Sequence, residues 1–271
     1  MENSTIGFVG AGNMANSLIR GLLVKGCKPS SIIVADVDQA KLQILVTECG
    51  VRRGDNQSIA DEADIIVLAV KPQVMETVCS QISLSISAPL VVSIAAGITI
   101  EQMLNWFGRA TAVVRCMPNT PALIGKGASG LYANKHVTDV QKQLAQSLME
   151  AVGIIVWVDD ENDIDTVTAV SGSGPAYFFL FMEAMQDAAK ELGLPEDLAK
   201  QLVYQTASGA ADLAIQSKDS TAELRRKVTS PGGTTERAIK KFEAGEIRKL
   251  VNSALVEAKT RSIELSKEMK S

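Results

Sequence analysis

Short apolar runs alternate with amphipathic stretches from residue 5 to residue 158. The runs at 5–9, 32–35, 65–70, 90–94, 112–116 and 154–158 are rich in β-branched residues and nearly continuous in hydrophobicity. That pattern suits strands of a parallel sheet covered on both faces. Between them, residues 14–24 place Met14, Leu18, Leu22 and Leu23 on one helical face, and 41–48 and 138–152 carry similar stripes. Strand–helix alternation implies right-handed crossovers and a doubly wound parallel sheet.

Beyond residue 162 the pattern changes. No strand candidate occurs in 163–271, and the spacing predicts helices over 174–192, 195–216, 221–227, 234–242 and 245–267. Pro175 and Pro195 suit first-turn positions and Gly193 suits a helix end. The acidic, turn-rich segment 159–163 is the expected boundary. An α/β domain over 1–162 followed by an all-α domain over 163–271 is therefore expected.

Composition narrows the function classes. The 271 residues are 46% hydrophobic and carry a net charge of −4. Twelve basic residues stand against fifteen acidic ones up to residue 162, and fifteen against sixteen after it. Neither part holds the cationic excess that a nucleic-acid partner requires. His136 is the single histidine, so no multi-histidine metal site is expected, and it reads as a surface residue in a polar stretch. Cys27, Cys49, Cys79 and Cys116 are widely spaced and form no C-x-x-C pair, which points to reduced thiols and a cytoplasmic location. The uncharged stretch 77–100 contains five serines and Pro89, which fits a helix turn and a buried strand better than a membrane span. The first strand-like run starts at Thr5, so no signal peptide is expected.

The sharpest local signal is Gly7-Phe-Val-Gly10-Ala-Gly12-Asn13-Met14-Ala15. Gly10 and Gly12 fill two glycine positions of the dinucleotide fingerprint, and Ala15 fills the third, where alanine is allowed. Gly10 permits the turn out of the strand, Gly12 admits a pyrophosphate, and the helix N-terminus faces the negative charge. Context supports this reading, because the motif follows a strand and opens an amphipathic helix. The first domain is thus read as Rossmann-like. Asp36 ends the second strand, where a carboxylate accepts from the adenosine ribose and disfavours a 2′-phosphate. It also reads as a helix cap, and Arg52 and Arg53 lie near enough to favour a 2′-phosphate, so NADH and NADPH both stay open. Lys71 ends the third long strand and reads either as a cofactor contact or as an ordinary loop lysine.

Two loops in the second part exceed the needs of plain connectors. Ser171-Gly-Ser-Gly-Pro-Ala-Tyr177 reads as close packing plus an N-cap, with room for a further role. Thr229-Ser-Pro-Gly232-Gly233-Thr234-Thr235-Glu236 offers backbone N–H groups and two hydroxyls at a helix start, a ready site for a carboxylate or phosphate.

Taken in order, these segments resemble the pyrroline-5-carboxylate reductase family. The resemblance also includes Ala69-Val70-Lys71-Pro72, Ser93-Ile-Ala95-Ala96-Gly97 and Arg115-Cys-Met-Pro-Asn-Thr-Pro121. It implies reduction of 1-pyrroline-5-carboxylate to L-proline by NADPH or NADH, the last step of proline biosynthesis. By that resemblance Gly10, Gly12, Asn13 and Met14 cradle the pyrophosphate and Asn56 lies near the adenosine end. Val70, Lys71, Ala95 and Ala96 line the nicotinamide side. Gly232, Gly233, Thr234 and Thr235 hold the substrate carboxylate, with Thr235 bonded to the imine nitrogen. The helical domain builds a homodimer, often assembled into a ring of dimers. NADPH-preferring members tend to carry Ser, Asn or Arg where this chain has Asp36. A β-hydroxyacid dehydrogenase is the nearest alternative, but it needs a lysine one turn past its second glycine motif. Here the first lysine after Gly174 is Lys190. A non-catalytic dinucleotide-binding oligomer explains the first glycine loop and leaves 232–235 unexplained.

Overall fold

The computed structural model describes residues 4–84, 89–108 and 110–269. The chain runs through β1 (Ile6–Val9), α1 (Asn13–Val24), β2 (Ile32–Ala35), α2 (Gln39–Cys49), β3 (Arg52–Arg53), α3 (Asn56–Glu62) and β4 (Ile65–Leu68). It continues through α4 (Met75–Gln81), β5 (Leu90–Ser93), α5 (Ile100–Phe107), β6 (Val113–Met117), β7 (Gly127–Ala133), α6 (Asp139–Met149) and β8 (Gly153–Trp157). Helices then follow as α7 (Asp163–Val167), α8 (Gly174–Glu191), α9 (Glu196–Gln216), α10 (Thr221–Lys227), α11 (Thr234–Ala244) and α12 (Ile247–Glu268).

The strands lie in the order β3-β2-β1-β4-β5-β6-β7-β8. All pairs from β3 to β6 are parallel, with Val9 opposite both Ala35 and Leu68. The sheet is mostly parallel as expected, with one departure at β7, which pairs antiparallel with β6. Only a short 3₁₀ turn at Thr120–Ile124 joins the two, too brief for a crossover, so the chain turns straight back. Helix α6 then restores a parallel crossover to β8.

Alternation along β1 divides the core into two layers. Ile6 and Phe8 pack with Leu18, Ile19 and Leu22 of α1 on one face. Val9 packs with Ile59, Ile66 and Met75 on the other. Each such fully buried side chain contributes about 1.5–3 kcal/mol. Gly7 sits between them because a Cβ there would overlap Ile59 Cγ2 and come within 3.2 Å of Ala63 Cβ. Glycine at this strand position brings α3 against β1.

Close packing divides the chain into two units, 1–173 with 257–271 and 174–256. The second unit contains α8 to α11 and the start of α12, and packs Phe181 against Phe242 with ring centroids 6.1 Å apart and planes tilted by 49°. It leaves Phe178, Phe179 and Leu180 about two-thirds exposed. All four cysteines carry free thiols, and burial pushes the Cys79 thiol up to about 12. Among the described residues no helix is long and apolar enough to cross a membrane.

Candidate active site

In a doubly wound sheet a ligand crevice opens beyond the carboxyl ends of the strands, where the order reverses. Here the reversal lies between β1 and β4. Gly10 leaves β1 with φ +106°, and a Cβ there would stand 2.6 Å from the Ala69 carbonyl oxygen. No other residue fits that turn without strain. Gly12 is the N-cap of α1 and has no side-chain cap, and the space in front of it is open. The first N–H groups of α1, on Asn13 and Met14, therefore face outward with the positive end of the helix behind them. A pyrophosphate fits this cradle.

The β4 and β5 ends supply the neighbouring wall. Val70 lies beside the turn, with its Cγ1 3.2 Å from where a Gly10 Cβ would be. Lys71 is exposed and precedes the 3₁₀ turn Pro72–Val74. After β5, Ala95 is buried with its N–H 3.4 Å from Ser93 Oγ, whereas Ala96 is exposed. The β5–α5 loop is braced from behind: a Gly97 Cβ would touch Leu265 Cβ of α12 at 3.4 Å.

Asp36 is not the cap of α2. Asp38 is, accepting from the Ala40 and Lys41 N–H groups, which holds its carboxyl below the usual carboxylate range. Asp36 instead accepts from the Ala11 N–H at 2.6 Å through Oδ2 and from the Asp38 N–H at 2.7 Å through Oδ1. The end of β2 is thereby bonded to the glycine turn of β1. An open groove of about 930 Å³ begins at Asp36 and includes Gln39, Arg53 and Asn56. Asn56 opens α3, whose N-terminus is capped by Asp55.

In the second unit, Gly233 is the N-cap of α11 and has no side-chain cap. The loop is less open than its sequence suggests. The Gly233 N–H donates to Ser230 O, and the Gly232 N–H donates to Glu236 Oε2 at 2.9 Å. That bond and Lys240 draw the Glu236 carboxyl below the usual range. Thr234 and Thr235 occupy the first two helical positions, where N–H groups lack intrahelical partners.

A buried ionic cluster lies outside the sequence-derived candidates. Arg115, with a side chain 3% exposed, meets Glu161 at 3.1 Å and Asp165 at 3.7 Å. Glu161 also accepts from the Ile100 N–H at 2.8 Å, and Ser262 Oγ donates to Asp165 at 2.7 Å. Asn119 bridges neighbouring segments, accepting from the Ala128 N–H and donating to the Ser171 carbonyl. The charge of Arg115 inside a strand was the available signal, but its partners lie 46 and more residues away. His136 is exposed, and no cluster of metal-ligating side chains occurs among the described residues.

A switch-point crevice with an uncapped glycine turn defines a dinucleotide-binding protein. Residues 5–97 match a family model described as NADP oxidoreductase, coenzyme F420-dependent, which makes the class that of nicotinamide-type oxidoreductases. Residues 161–265 match the model for pyrroline-5-carboxylate reductase dimerisation. A pyrroline-5-carboxylate reductase of Pseudomonas aeruginosa is 49% identical over 99% of both chains. A solved pyrroline-5-carboxylate reductase from Coxiella burnetii is 46% identical, covers 97% of this chain and 98% of its own, and has a TM-score of 0.94. The Plasmodium falciparum enzyme, solved with NADP bound, is 31% identical over 98% of this chain and 99% of its own, with a TM-score of 0.87. The chain belongs to the pyrroline-5-carboxylate reductase family.

Proposed function

We propose that the protein reduces 1-pyrroline-5-carboxylate to L-proline with NADPH or NADH, the last step of proline biosynthesis. The observation that carries this reading is the full-length likeness, at up to 49% identity, to enzymes named for that reaction. The glycine turn supports it independently. The bound cofactor supplies a hydride to the imine carbon, and the ring nitrogen retains one proton. A cyclic iminium arrives already protonated, so the chain needs no histidine or lysine acid. Its own task is orientation, which is where most of the acceleration of such a step arises.

In this reading Gly10, Gly12, Asn13 and Met14 hold the pyrophosphate, and Asp36 and Asn56 take the adenosine end. Val70, Lys71, Ala95 and Ala96 form the nicotinamide side. Gly232, Gly233, Thr234 and Thr235 anchor the substrate carboxylate, and Thr235 bonds the ring nitrogen. The helical part from residue 163 serves dimerisation and substrate binding, which the dimerisation match over 161–265 supports. The exposed apolar run Phe178–Leu180 of α8 supports a homodimer, with a ring of dimers as the further assembly. The free thiols agree with a cytoplasmic location. The deciding assay follows pyrroline-5-carboxylate-dependent oxidation of NADH and of NADPH separately. Oxidation of at least one is expected, and oxidation of neither overturns the proposal.

A further inference from the structure

We infer that Glu161 is a positioning residue for the nicotinamide end of the cofactor, holding the start of α5 so that the β5–α5 loop presents Ala95 and Ala96. The inference rests on the cofactor reading above, which places those two alanines beside the nicotinamide. In sequence Glu161 is one of four acidic residues in the turn 159–163, a solvated boundary by composition. The structure separates it from the others. Asp159, Asp160 and Asp163 are exposed, whereas the Glu161 side chain is 24% exposed and makes two inward bonds. A single oxygen, Oε1, accepts from the Arg115 guanidinium at 3.1 Å and from the Ile100 N–H at 2.8 Å.

Ile100 is the first helical residue of α5, so its N–H has no partner within the helix. The Thr99 cap takes the Gln102 N–H, and Glu161 takes the Ile100 N–H. The positive end of the helix favours a carboxylate there. Arg115 is fixed in β6 and almost wholly buried, so Glu161 ties α5 to a strand of the sheet. Only residues 94–99 lie between the end of β5 and that tie. Ala95, Ile98 and Ile100 share one core layer, and Gly97 at φ +72° backs onto Leu265, so a shift of α5 carries the loop with it. Alanine has no adjustable side chain, so the placement of this wall is set by backbone alone. Asp165 supplies a contrast. It too pairs with Arg115, at 3.7 Å, but its hydrogen bond goes to Ser262 of α12.

The test compares binding of each reduced cofactor with binding of its fragment lacking nicotinamide, on the full-length protein without substrate. NADH is set against ADP-ribose, and NADPH against 2′-phospho-ADP-ribose. Glu161→Ala should weaken the whole cofactor about tenfold, the worth of one hydrogen bond to a charged group, and leave the fragment unmoved. Glu161→Gln keeps an acceptor for the Ile100 N–H and should restore most of the affinity. Asp165→Asn keeps an acceptor for Ser262; it should lower the melting temperature without changing the ratio of cofactor to fragment. Ile100→Pro serves if Glu161→Ala folds poorly. It removes the N–H at a helical position that accepts proline, spares the Arg115–Glu161 pair, and should show the same selective loss. Equal weakening of cofactor and fragment in Glu161→Ala overturns the inference, as does an unchanged affinity for both. A ratio moved as far by Asp165→Asn as by Glu161→Ala also overturns it. Binding of neither cofactor by the natural chain instead defeats the cofactor reading itself.

Discussion

At the scale of single residues, the glycine turn makes the firmest demand. Gly10→Ala forces an L side chain to φ +106° and drives its Cβ against the Ala69 carbonyl. The expected outcome is loss of nucleotide binding by calorimetry, with the turn displaced. Retained affinity would show that the turn gives way. Thr235→Ala should behave differently, because the side chain is only half-buried at a helix start. On its proposed role at the ring nitrogen, losing one hydrogen bond of about 1 kcal/mol should lower kcat roughly fivefold. Circular dichroism should stay unchanged, and an unaltered kcat removes Thr235 from the reaction. Sequence alone identified Gly10 and Asp36 as candidates because their motif is local. It could not show that Asp36 holds the Ala11 N–H, a bond between residues 25 apart in the chain.

Elements carry the next level of argument. Arg115 of β6 is balanced by Glu161 and by Asp165 of α7, both removed from bulk water to differing degrees. Arg115→Met leaves those carboxylates unpaired, and breaking such a pair costs about 3–5 kcal/mol. Urea unfolding should show that loss as a lower midpoint with little change in slope. In α11, the Gly232 N–H and Lys240 lower the Glu236 pKa below its unfolded value. The contribution is present above the unfolded pKa and lost as pH falls through the folded one. Carboxyl NMR should therefore place the Glu236 midpoint below the ordinary glutamate value, and Lys240→Ala should move it up.

The same scale shows what the hydrophobic pattern conveyed. Strand β2 falls on the expected 32–35, and helices α9 and α10 fall within a residue of expectation. Strand β3 was missed because it is two exposed arginines, positioned by pairing with β2. Strand β7 reads Gly-Ala-Ser-Gly and lacks β-branched residues at its start. Its glycine content answers to packing, since a Cβ at Gly130 would lie 2.6 Å from Val167 of α7. That cause is tertiary, so no local pattern announces it.

For the whole molecule, the apolar face of the second unit sets the expectation. Phe178, Phe179 and Leu180 lie on one run of α8 and remain about two-thirds exposed. Phe179→Asp should lower the mass measured by light scattering toward that of a single chain. A wild-type mass of a single chain would defeat the dimer proposal. The change from strands to helices is visible in sequence near residue 162. Which elements pack together is not, because the hydrophobic period of α12 is the same whichever unit receives it. Its last turns, from Glu257, join the sheet, where Ser262 meets Asp165 and Gln102 reaches the Ser266 carbonyl.

That arrangement bears on how the chain is made. Domains tend to fold in order as they leave the ribosome, N-terminal first. Here the sheet unit receives a segment synthesised only after the whole second unit. Until then Asp165 lacks its serine donor and the loop at Gly97 lacks its backing. Completion of the nucleotide-binding half waits on the final stretch of translation, so a nascent chain stalled before residue 257 would hold an unfinished sheet unit.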